Sequence, residues 1–423
     1  MSDQIKTDQI PADPALLDRA RRAIAECRLI AGMTEEPGRT TRRFLTSPMR
    51  DVHAHLRARM TALGMSTRVD AVGNLRGLWQ PPHAGKKRLI LGSHIDTVPD
   101  AGAFDGILGV TLALELVQSA KEREFLPLAI EVIAFSEEEG VRYGVPFIGS
   151  RAVAGRFDSA LLALEDADGV PMEAAIRSFG LDPARIPEAA LDPQTLGFFE
   201  IHIEQGPVLE AENLSVAAVT AIAGQTRLNF VFTGRANHAG TTPMRLRHDA
   251  LAGAAEWIAA VEALALSVDG LVATVGQIKA APNAGNVIPG AVTVSLDVRH
   301  AESAPRLAAV DELTERARAI AARRGLTLDC TRPLDQPSVP MDEQLTAYLA
   351  EAIESAGFPA RRMPSGAGHD AMVMAARVPA AMLFLRSPGG ISHHPGENVR
   401  EQDVAAALLV AGKFLERLAA QLS

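Results

Sequence analysis

Short apolar runs of strand length alternate with helical stretches between residues 88 and 135, and this alternation restricts the fold more than any other feature. The runs at 88–92 (RLILG) and 128–135 (LAIEVIAF) flank a predicted helix over 107–121. This pattern predicts an α/β domain with a largely parallel sheet covered on both faces. Ligands bind beyond the carboxyl ends of strands in such sheets. His94 and the acidic run at 137–139 directly follow two of these strands.

A different pattern begins after about residue 212 and predicts a smaller domain. Its elements are a strand at 225–233, a helix at 247–267, strands at 271–279 and 291–299, a helix at 303–324 and a strand at 326–331. This βαββαβ order is the split-βαβ arrangement of a ferredoxin-like domain.

The smaller domain is expected to be an insertion in the first. Segment 332–341 contains three prolines and suits a linker. After it, a helix at 342–356, a strand near 380–385 and a helix at 402–420 would complete the first domain. We therefore predict one domain formed by residues 1–212 and 332–423, and an inserted domain at 213–331.

The composition is that of an ordinary globular protein. The 423 residues are 47% hydrophobic and 22% charged, and the net charge of −9 is mixed along the chain, which argues against nucleic acid or an anionic membrane as partner. The polar start lacks a signal-peptide layout, and acidic residues interrupt the apolar stretch 251–276. We expect a cytoplasmic protein. Cys27 and Cys330 have no CxxC neighbour, so a thiolate site is not indicated.

The first motif whose residues could bind a metal or act in catalysis is GSHIDT followed by FDG. His94 would leave a strand end and Asp105 would open the next helix, and imidazole with carboxylate is a ligand set typical of zinc or manganese. Asp96 is placed to hold the second ring nitrogen of His94. The alternative is that Asp105 caps the helix near 107 and that His94 is a satisfied core histidine.

The second motif, SEEEG, places three carboxylates after a strand predicted to be buried. An exposed acidic run is normally a solvated turn, but here the run would point into the crevice at the sheet edge. Clustered carboxylates repel one another, and a divalent cation relieves that repulsion. One glutamate would then be a metal ligand and its neighbour a general base.

Two further motifs supply histidines. The period of two along 198–204 puts Glu200, His202 and Glu204 on one strand face, and either His393 or His394 could act from GISHHPGE. A solvated edge strand and a surface loop are the alternatives. The ligands His94, Asp105, Glu139, His202 and His393 suffice for two metals only if one carboxylate bridges them. Such a pair activates water and polarises a carbonyl.

The motifs GSHIDT, FDG, EEEG, HIEQGP, GRANHAGTTPM, NVIPG, DVR, SGAGHDA and GISHHPGE jointly resemble the hydantoinase/carbamoylase branch of the M20 metallopeptidase-like amidohydrolases. They run from about residue 90 to 398 in family order. The resemblance implies an exopeptidase-like catalytic domain with two divalent metal ions per subunit. Zinc or manganese is expected, and cobalt or nickel would also suit. Asp105 would bridge the metals, with His94 and His202 on one, Glu139 and His393 on the other, and Glu138 as general base.

The resemblance also implies a homodimer joined through the inserted domain, which would act as a lid. His238 would reach over the neighbouring active site and stabilise the oxyanion, a role that suits a hydrogen-bond donor. Asn286 and Arg299 would grip the substrate carboxylate, and Gln205 would suit a ureido group. His369 in SGAGHDA is expected near the metals and the substrate. For Arg299 the alternative is a surface ion pair, and for His238 a turn histidine.

The expected function is metal-dependent hydrolysis of a linear ureido bond in a small molecule, an N-carbamoyl-L-amino acid or allantoate, with release of ammonia and carbon dioxide. Val141 and Tyr143, on either side of Arg142, differ from the residues that the family more commonly has at these positions and could alter the pocket wall. One alternative is an aminoacylase or dipeptidase on the same scaffold, which a substrate panel would distinguish. The other is a non-catalytic ureido-acid binding protein, whose sequence would lack a ligand or the base.

Overall fold

The computed structural model describes residues 13–82, 84–123 and 126–421. They divide into two compact units. The first comprises the chain up to Thr220, Met341–Met363 and the chain from Ala367, and the second comprises Ala221–Pro340 and Pro364–Gly366. The division lies further along the chain than the predicted segment 213–331, because the strand after residue 215 pairs with the first unit's sheet and the strand from 327 continues to Gln336.

The described residues contain the following helices and strands, numbered in chain order. The helices are α1 (Pro14–Ala31), α2 (Ser47–Ala62), α3 (Ile107–Arg123), α4 (Ile148–Val153), α5 (Met172–Ser178), α6 (Val208–Ala211), α7 (Ala250–Ser267), α8 (Ser303–Arg324), α9 (Glu343–Ser355), α10 (Asp370–Met374) and α11 (Glu401–Ala420). The strands are β1 (Ser66–Val69), β2 (Leu75–Trp79), β3 (Arg88–His94), β4 (Ala129–Phe135), β5 (Thr195–Ile203), β6 (Val216–Ile222), β7 (Gly224–Thr233), β8 (Val272–Thr274), β9 (Ile278–Ala281), β10 (Ala291–His300), β11 (Thr327–Gln336), β12 (Val339–Pro340), β13 (Arg362–Ser365) and β14 (Ala380–Leu385).

The centre of the large sheet is the parallel set that the sequence predicts. Strands β4, β3, β5 and β14 lie side by side in parallel. Their residues are almost all buried, which explains why they read as continuous apolar runs. The sheet as a whole is mixed, because β2 pairs antiparallel with β4 and β6 pairs antiparallel with β14.

Two glycines allow the helix after β3 to lie close to the sheet. Helix α3 packs on β3 and β5, and a Cβ at Gly109 would lie 2.2 Å from the carbonyl oxygen of Ile201. Gly106 has a φ of +68°, and a Cβ there would lie 2.5 Å from the ring of His94. The FDG turn therefore holds the chain after Asp105 directly against the end of β3.

The second unit has the order βαβββαβ from β7 to β11, which is one strand more than the βαββαβ order that the sequence predicts. Its antiparallel sheet has the order β11, β7, β10, β8, with β9 also paired to β10. The predicted strand at 271–279 is therefore two strands, β8 and β9, both paired with β10. Residues along β7 alternate between buried and less buried, as expected for a sheet with one face in a core.

Helix α7 supplies much of this core. Among the described residues it is the one helix long and apolar enough to cross a bilayer, and one such helix is weak evidence for a membrane span. Its Trp257 is fully buried and lies 4.5 Å, between ring centroids, from Phe230. The apolar length of α7 is therefore in part explained by packing on the sheet of this unit.

Candidate metal centre

The carboxyl ends of three neighbouring parallel strands bring ionisable side chains to one edge of the large sheet. His94 is the last residue of β3, His202 is the residue before the end of β5, and Glu138 and Glu139 follow β4 closely. Asp105 lies just before α3. Parallel strands end at a common edge, so side chains far apart in the sequence meet there.

The carboxylate of Asp105 lies at the centre of these groups. Its Oδ1 lies 3.5 Å from His94 Nε2 and 3.2 Å from His202 Nε2, and its Oδ2 lies 3.2 Å from His393 Nε2. His393 Nε2 is also 3.3 Å from Glu139 Oε1. Three imidazoles from three separate parts of the chain therefore surround one carboxylate.

The groups form two ligand sets that share Asp105. His94, Asp105 and His202 form one set, and Asp105, Glu139 and His393 form the other, each with ligand atoms within 4.8 Å of one another. Nitrogen and carboxylate oxygen donors of this kind suit zinc, manganese and related divalent cations. The structure thus brings together the five side chains that the sequence predicted as ligands.

Two buried atoms at the centre test whether cations fit there. Asp105 Oδ1 and His202 Nε2 face each other, and neither has a hydrogen-bond partner of acceptable geometry within residues 13–82, 84–123 and 126–421. Buried polar atoms without partners are rare in native proteins and call for an explanation such as an ion. A divalent cation held between these two atoms and His94 would satisfy both.

The histidines are oriented by main-chain oxygens. His94 Nδ1 lies 3.1 Å from the carbonyl oxygen of Asp96, and His202 Nδ1 lies 2.9 Å from that of Ile203. Each contact directs the other ring nitrogen towards Asp105. The Asp96 carboxylate, which the sequence suggested as the partner of His94, lies 3.6 Å from His94 Nδ1 and also accepts the backbone N–H groups of Glu138 and Glu139 at 3.0 Å.

The shared carboxylate shifts the pKa values of the groups around it. Burial alone would raise the pKa of Asp105, but the imidazoles of His202, His393 and His94 around it hold that pKa well below the usual value. The same carboxylate raises the pKa of His94 and His202 against the effect of burial. Hydrogen bonds to Asp105 and Glu139 raise the pKa of His393 to about 10. Without a metal, the ring of His393 is therefore protonated at neutral pH.

Glu138 lies beside both ligand sets. It forms a third group with His94 and Glu139, with side-chain atoms within 4.8 Å of one another. Burial raises the pKa of Glu138 well above the usual value, and the carboxylates of Glu139 and Asp370 add to the effect while His94 opposes it. A carboxyl group whose pKa is raised by burial is suited to general acid–base chemistry.

The turn at 392–394 places His393, not His394, at the centre. His393 has a φ of +56°, and its Nε2 faces Asp105 and Glu139. His394 accepts a hydrogen bond from the backbone of Gly396. Left-handed backbone at a residue other than glycine is strained and is concentrated at functional sites. Gln205, on the other side of Asp105, has a similar φ of +57°.

Two of the predicted substrate-binding residues lie in the first unit. Gln205 Nε2 donates hydrogen bonds to Asp105 Oδ2 at 2.9 Å and to Ser392 Oγ at 3.0 Å. His369 is buried, with its ring 4.5 Å from the ring of His202. Burial and the nearby charge of His202 hold the pKa of His369 well below the usual value, so its ring is neutral. Gln205 thus reaches the centre directly, and His369 lies behind His202.

The other predicted residues, His238, Asn286 and Arg299, lie in the second unit. The loops of His238 and Asn286 are adjacent, since Ala239 N donates to the carbonyl oxygen of Asn286 at 2.9 Å. His238 is exposed and accepts the N–H of Gly240 at Nδ1. Arg299 is held by the carboxylate of Asp297 and by the carbonyl oxygen of Gly366 at 2.7 Å.

Sequence reasoning gave no role to two carboxylates near the centre. Glu200 accepts hydrogen bonds from Ser93 Oγ and from the backbone of Ala371. Glu397 accepts the backbone N–H groups of Phe104 and Asp105. The period of two along β5 places Glu200 on the same strand face as His202. That Glu200 is buried and hydrogen-bonded follows only from the packing of α10. Glu397 lies within GISHHPGE, yet no local pattern could connect it to residue 105.

Comparisons with known proteins agree on one family. The model described as peptidase family M20/M25/M40 matches residues 90–417. The chain is 39% identical to an allantoate deiminase of Arabidopsis thaliana, over 85% of this chain and 75% of that protein. It is 38% identical to an N-carbamoyl-L-amino acid amidohydrolase of Geobacillus stearothermophilus, over 87% and 90%. A hydantoinase/carbamoylase-family amidase from Burkholderia multivorans superposes with a TM-score of 0.89 at 31% identity, covering 95% and 98%.

Binding of a divalent cation to the metal-free protein is expected to release protons at neutral pH. The pKa values of His94, His202 and His393 are raised, that of His393 to about 10, and any ring that carries a second proton must lose it to become a ligand. Apparent affinity should therefore increase as the pH rises and decrease as it falls. Titration calorimetry with Zn²⁺, in two buffers of different ionisation enthalpy, measures the protons released per metal bound.

Two variants make this measurement specific. His393→Ala should release fewer protons than the wild type, because one of the imidazolium ions is gone. His248→Ala, in the second unit, should release as many as the wild type. Metal uptake without proton release would contradict the charge state described for the centre.

Proposed function

We propose that this chain, which belongs to peptidase family M20/M25/M40, is a metal-dependent amidohydrolase of small ureido acids. The bond cleaved is the linear C–N bond of the ureido group in allantoate or in an N-carbamoyl-L-amino acid, with release of ammonia and carbon dioxide. Relatives named allantoate deiminase and N-carbamoyl-L-amino acid amidohydrolase support this substrate class. The observation that carries the proposal is the pair of ligand sets that share Asp105 with Glu138 beside them.

Two divalent cations per subunit are proposed for these sets. His94, Asp105 and His202 would hold one, and Asp105, Glu139 and His393 the other, with zinc or manganese expected and cobalt or nickel also compatible. The unpartnered buried atoms Asp105 Oδ1 and His202 Nε2 support this assignment. When bound, such a pair polarises a carbonyl group and lowers the pKa of water, which makes water a better nucleophile.

Glu138 is proposed as the general base and acid. Its carboxylate would take a proton from the attacking water and then give that proton to the leaving nitrogen. Its burial and its position beside both ligand sets support both steps, because a catalytic group must lie within reach of the proton that it transfers. Asp96 supports this geometry by accepting the N–H groups of Glu138 and Glu139, which fixes the acidic run.

Polar residues from both units are proposed to bind a substrate with a ureido group and a carboxylate. Gln205 has both a donor and an acceptor, as a ureido group requires. Arg299 would bind the substrate carboxylate with its planar guanidinium, and Asn286 would assist. Asp297 supports this role by holding the guanidinium on two of its nitrogens at 2.9 and 3.2 Å, which limits its rotation. His369 would support His202 from behind.

A substrate panel tests this proposal. The metal-loaded protein should release ammonia from allantoate or from N-carbamoyl-L-amino acids and should leave N-acetyl amino acids and dipeptides intact. Ammonia is measured by an enzyme-coupled assay, and free amino acid by chromatography. Cleavage of N-acyl amino acids or dipeptides in preference to ureido acids would identify an aminoacylase or dipeptidase instead. Tight binding of ureido acids without turnover would identify a binding protein.

Replacing Glu138 by glutamine should abolish turnover while metal binding is retained. General acid–base catalysis typically contributes about 10²–10⁴-fold to the rate, so kcat on the preferred substrate should fall by at least about 10²-fold. Ammonia release measures the rate, and elemental analysis measures the metal content. Glu137→Gln is the neighbouring control and should lose much less activity. Full activity of Glu138→Gln would show that Glu138 is not the general base and acid.

A homodimer joined through the second unit is also proposed. Support comes from large apolar side chains that this unit exposes. Leu266 on α7 is 84% exposed, Val272 on β8 is 59% exposed and Met244 is 77% exposed. Exposed apolar groups of this kind are typical of interaction surfaces. In such a dimer, His238 of the partner subunit would donate a hydrogen bond to the oxyanion that develops during attack.

Mixed dimers test the action of His238 across subunits. Glu138→Gln and His238→Ala, each nearly inactive alone, should regain activity when their subunits are exchanged, because each mixed dimer has one complete site. Random exchange should restore about a quarter of wild-type activity. Glu138→Gln mixed with Asp105→Asn is the control and should restore none, because each subunit then carries a defect in its own site and the mixed dimer has no complete site. No recovery in the first mixture would mean that His238 does not act across subunits.

A further inference from the structure

Glu397 occupies a position between two loops of the metal centre. It is 5% exposed and lies in the turn after His393. Its Oε1 accepts the backbone N–H groups of Phe104 at 2.9 Å and Asp105 at 3.0 Å, and its Oε2 accepts the hydroxyl of Ser392 at 3.1 Å. One carboxylate therefore connects the loop of Asp105 to the turn of His393.

The loop before Asp105 is shaped to receive this side chain. A Cβ at Gly102 would lie 2.3 Å from Glu397 Cβ and 2.5 Å from Glu397 Oε1. Real Cβ atoms do not make contacts this short, so any residue other than glycine would displace the carboxylate. The close approach allows Glu397 to reach the N–H groups beyond Gly102.

Ser392 extends the connection to the ligand atoms themselves. Its Oγ lies 3.1 Å from Asp105 Oδ2 and accepts a hydrogen bond from Gln205 Nε2 at 3.0 Å. A serine hydroxyl has one proton, so it donates either to Asp105 or to Glu397 at any moment. Glu397 and Ser392 thus contact both the backbone and the carboxylate of the shared ligand.

The loop-borne ligands need such a connection more than the strand-borne ones. His94 and His202 lie on β3 and β5, whose positions are fixed by the hydrogen bonds of the sheet. Asp105 and His393 lie outside strands and helices, and His393 has a left-handed backbone. Their separation of 3.2 Å between Oδ2 and Nε2 depends on contacts between the two loops.

We propose that Glu397 is a positioning residue that holds Asp105 and His393 in register, so that the set of Asp105, Glu139 and His393 binds its cation. This inference rests on the proposed metal centre and adds a residue to it. Residues that orient metal ligands typically contribute about 10–100-fold to metal affinity. The effect should fall on this ligand set and much less on the set of His94, Asp105 and His202.

Titration of metal-free full-length protein with Co²⁺ alone tests the proposal. The wild type should bind two equivalents, with visible absorption bands that report the ligand geometry of each. Glu397→Ala should bind the second equivalent about 10–100-fold more weakly and with altered bands. Glu397→Gln should recover most of this affinity, because its carbonyl oxygen still accepts both N–H groups and its amide still reaches Ser392.

Two further variants separate positioning from general stability. Glu115→Ala removes another buried carboxylate of the first unit, one paired with Arg19, Arg22 and Arg59. It should lower the unfolding temperature without changing Co²⁺ affinity. Ser392→Ala keeps Glu397 and should weaken only the second equivalent. It therefore also tests the proposal if Glu397→Ala does not fold. The double variant Glu397→Ala/Ser392→Ala should bind the second Co²⁺ no more weakly than Glu397→Ala does, if both residues act through one connection.

The outcomes distinguish this inference from the proposed function. Wild-type protein that binds fewer than two equivalents of Co²⁺ would overturn the metal centre itself. Two equivalents bound by the wild type, and bound equally tightly by Glu397→Ala and Ser392→Ala, would overturn the role of Glu397 alone. Equal losses in Glu115→Ala and Glu397→Ala would also overturn it, because the effect would then be one of stability.

Discussion

The contact of one buried carboxylate with three imidazoles is the interaction on which the site depends. Asp105 lies between His94 and His202 on one side and His393 on the other. A buried carboxylate with no positive partner would be protonated or would destabilise the fold. Here the histidines keep it ionised, and the ionised carboxylate is what two cations can share. The fold brings these groups together because β3 and β5 are parallel neighbours and the FDG turn packs against the end of β3.

The same edge of the sheet has more buried carboxyl groups than the positive charges of the histidines can neutralise. Glu137, Glu138, Glu200 and Asp370 are all buried, and burial raises the pKa of each. Divalent cations beside these groups would lower their pKa values again, since opposite charge favours the ionised form. Metal binding and the proton affinity of Glu138 are therefore linked. The pKa of Glu138, the proposed base, should be lower when cations are bound than when the centre is empty. This linkage ties the proposed proton transfers to occupancy of both ligand sets.

The sequence predicted the strand-borne part of the centre well because the rule it used is local. An apolar run of strand length, followed at once by His94, His202 or the acidic run, is visible in a single stretch of residues, and parallel order then places these ends together. The loop-borne part depends on backbone conformation that the residue pattern does not reveal. Residue order alone left His393 and His394 as alternatives, and the left-handed turn separates them. Residue order also placed Asp96 beside the second ring nitrogen of His94, but it could not reveal that the same carboxylate accepts the backbone N–H groups of Glu138 and Glu139.

The contrast between strand-borne and loop-borne groups also explains where the strain in the site lies. Gln205 and His393 face each other across Asp105 Oδ2, and both have left-handed backbones at residues that disfavour them. Such conformations cost about 1–3 kcal/mol each and persist only when surrounding contacts over-determine them. Those contacts are visible: Gln205 donates from its backbone to Ser387, and Ser392 joins the side chain of Gln205 to Asp105 and Glu397. The sheet thus fixes one half of the centre without strain. A hydrogen-bond network fixes the other half against strain, and that network includes Gln205, which we propose contacts the ureido group of the substrate.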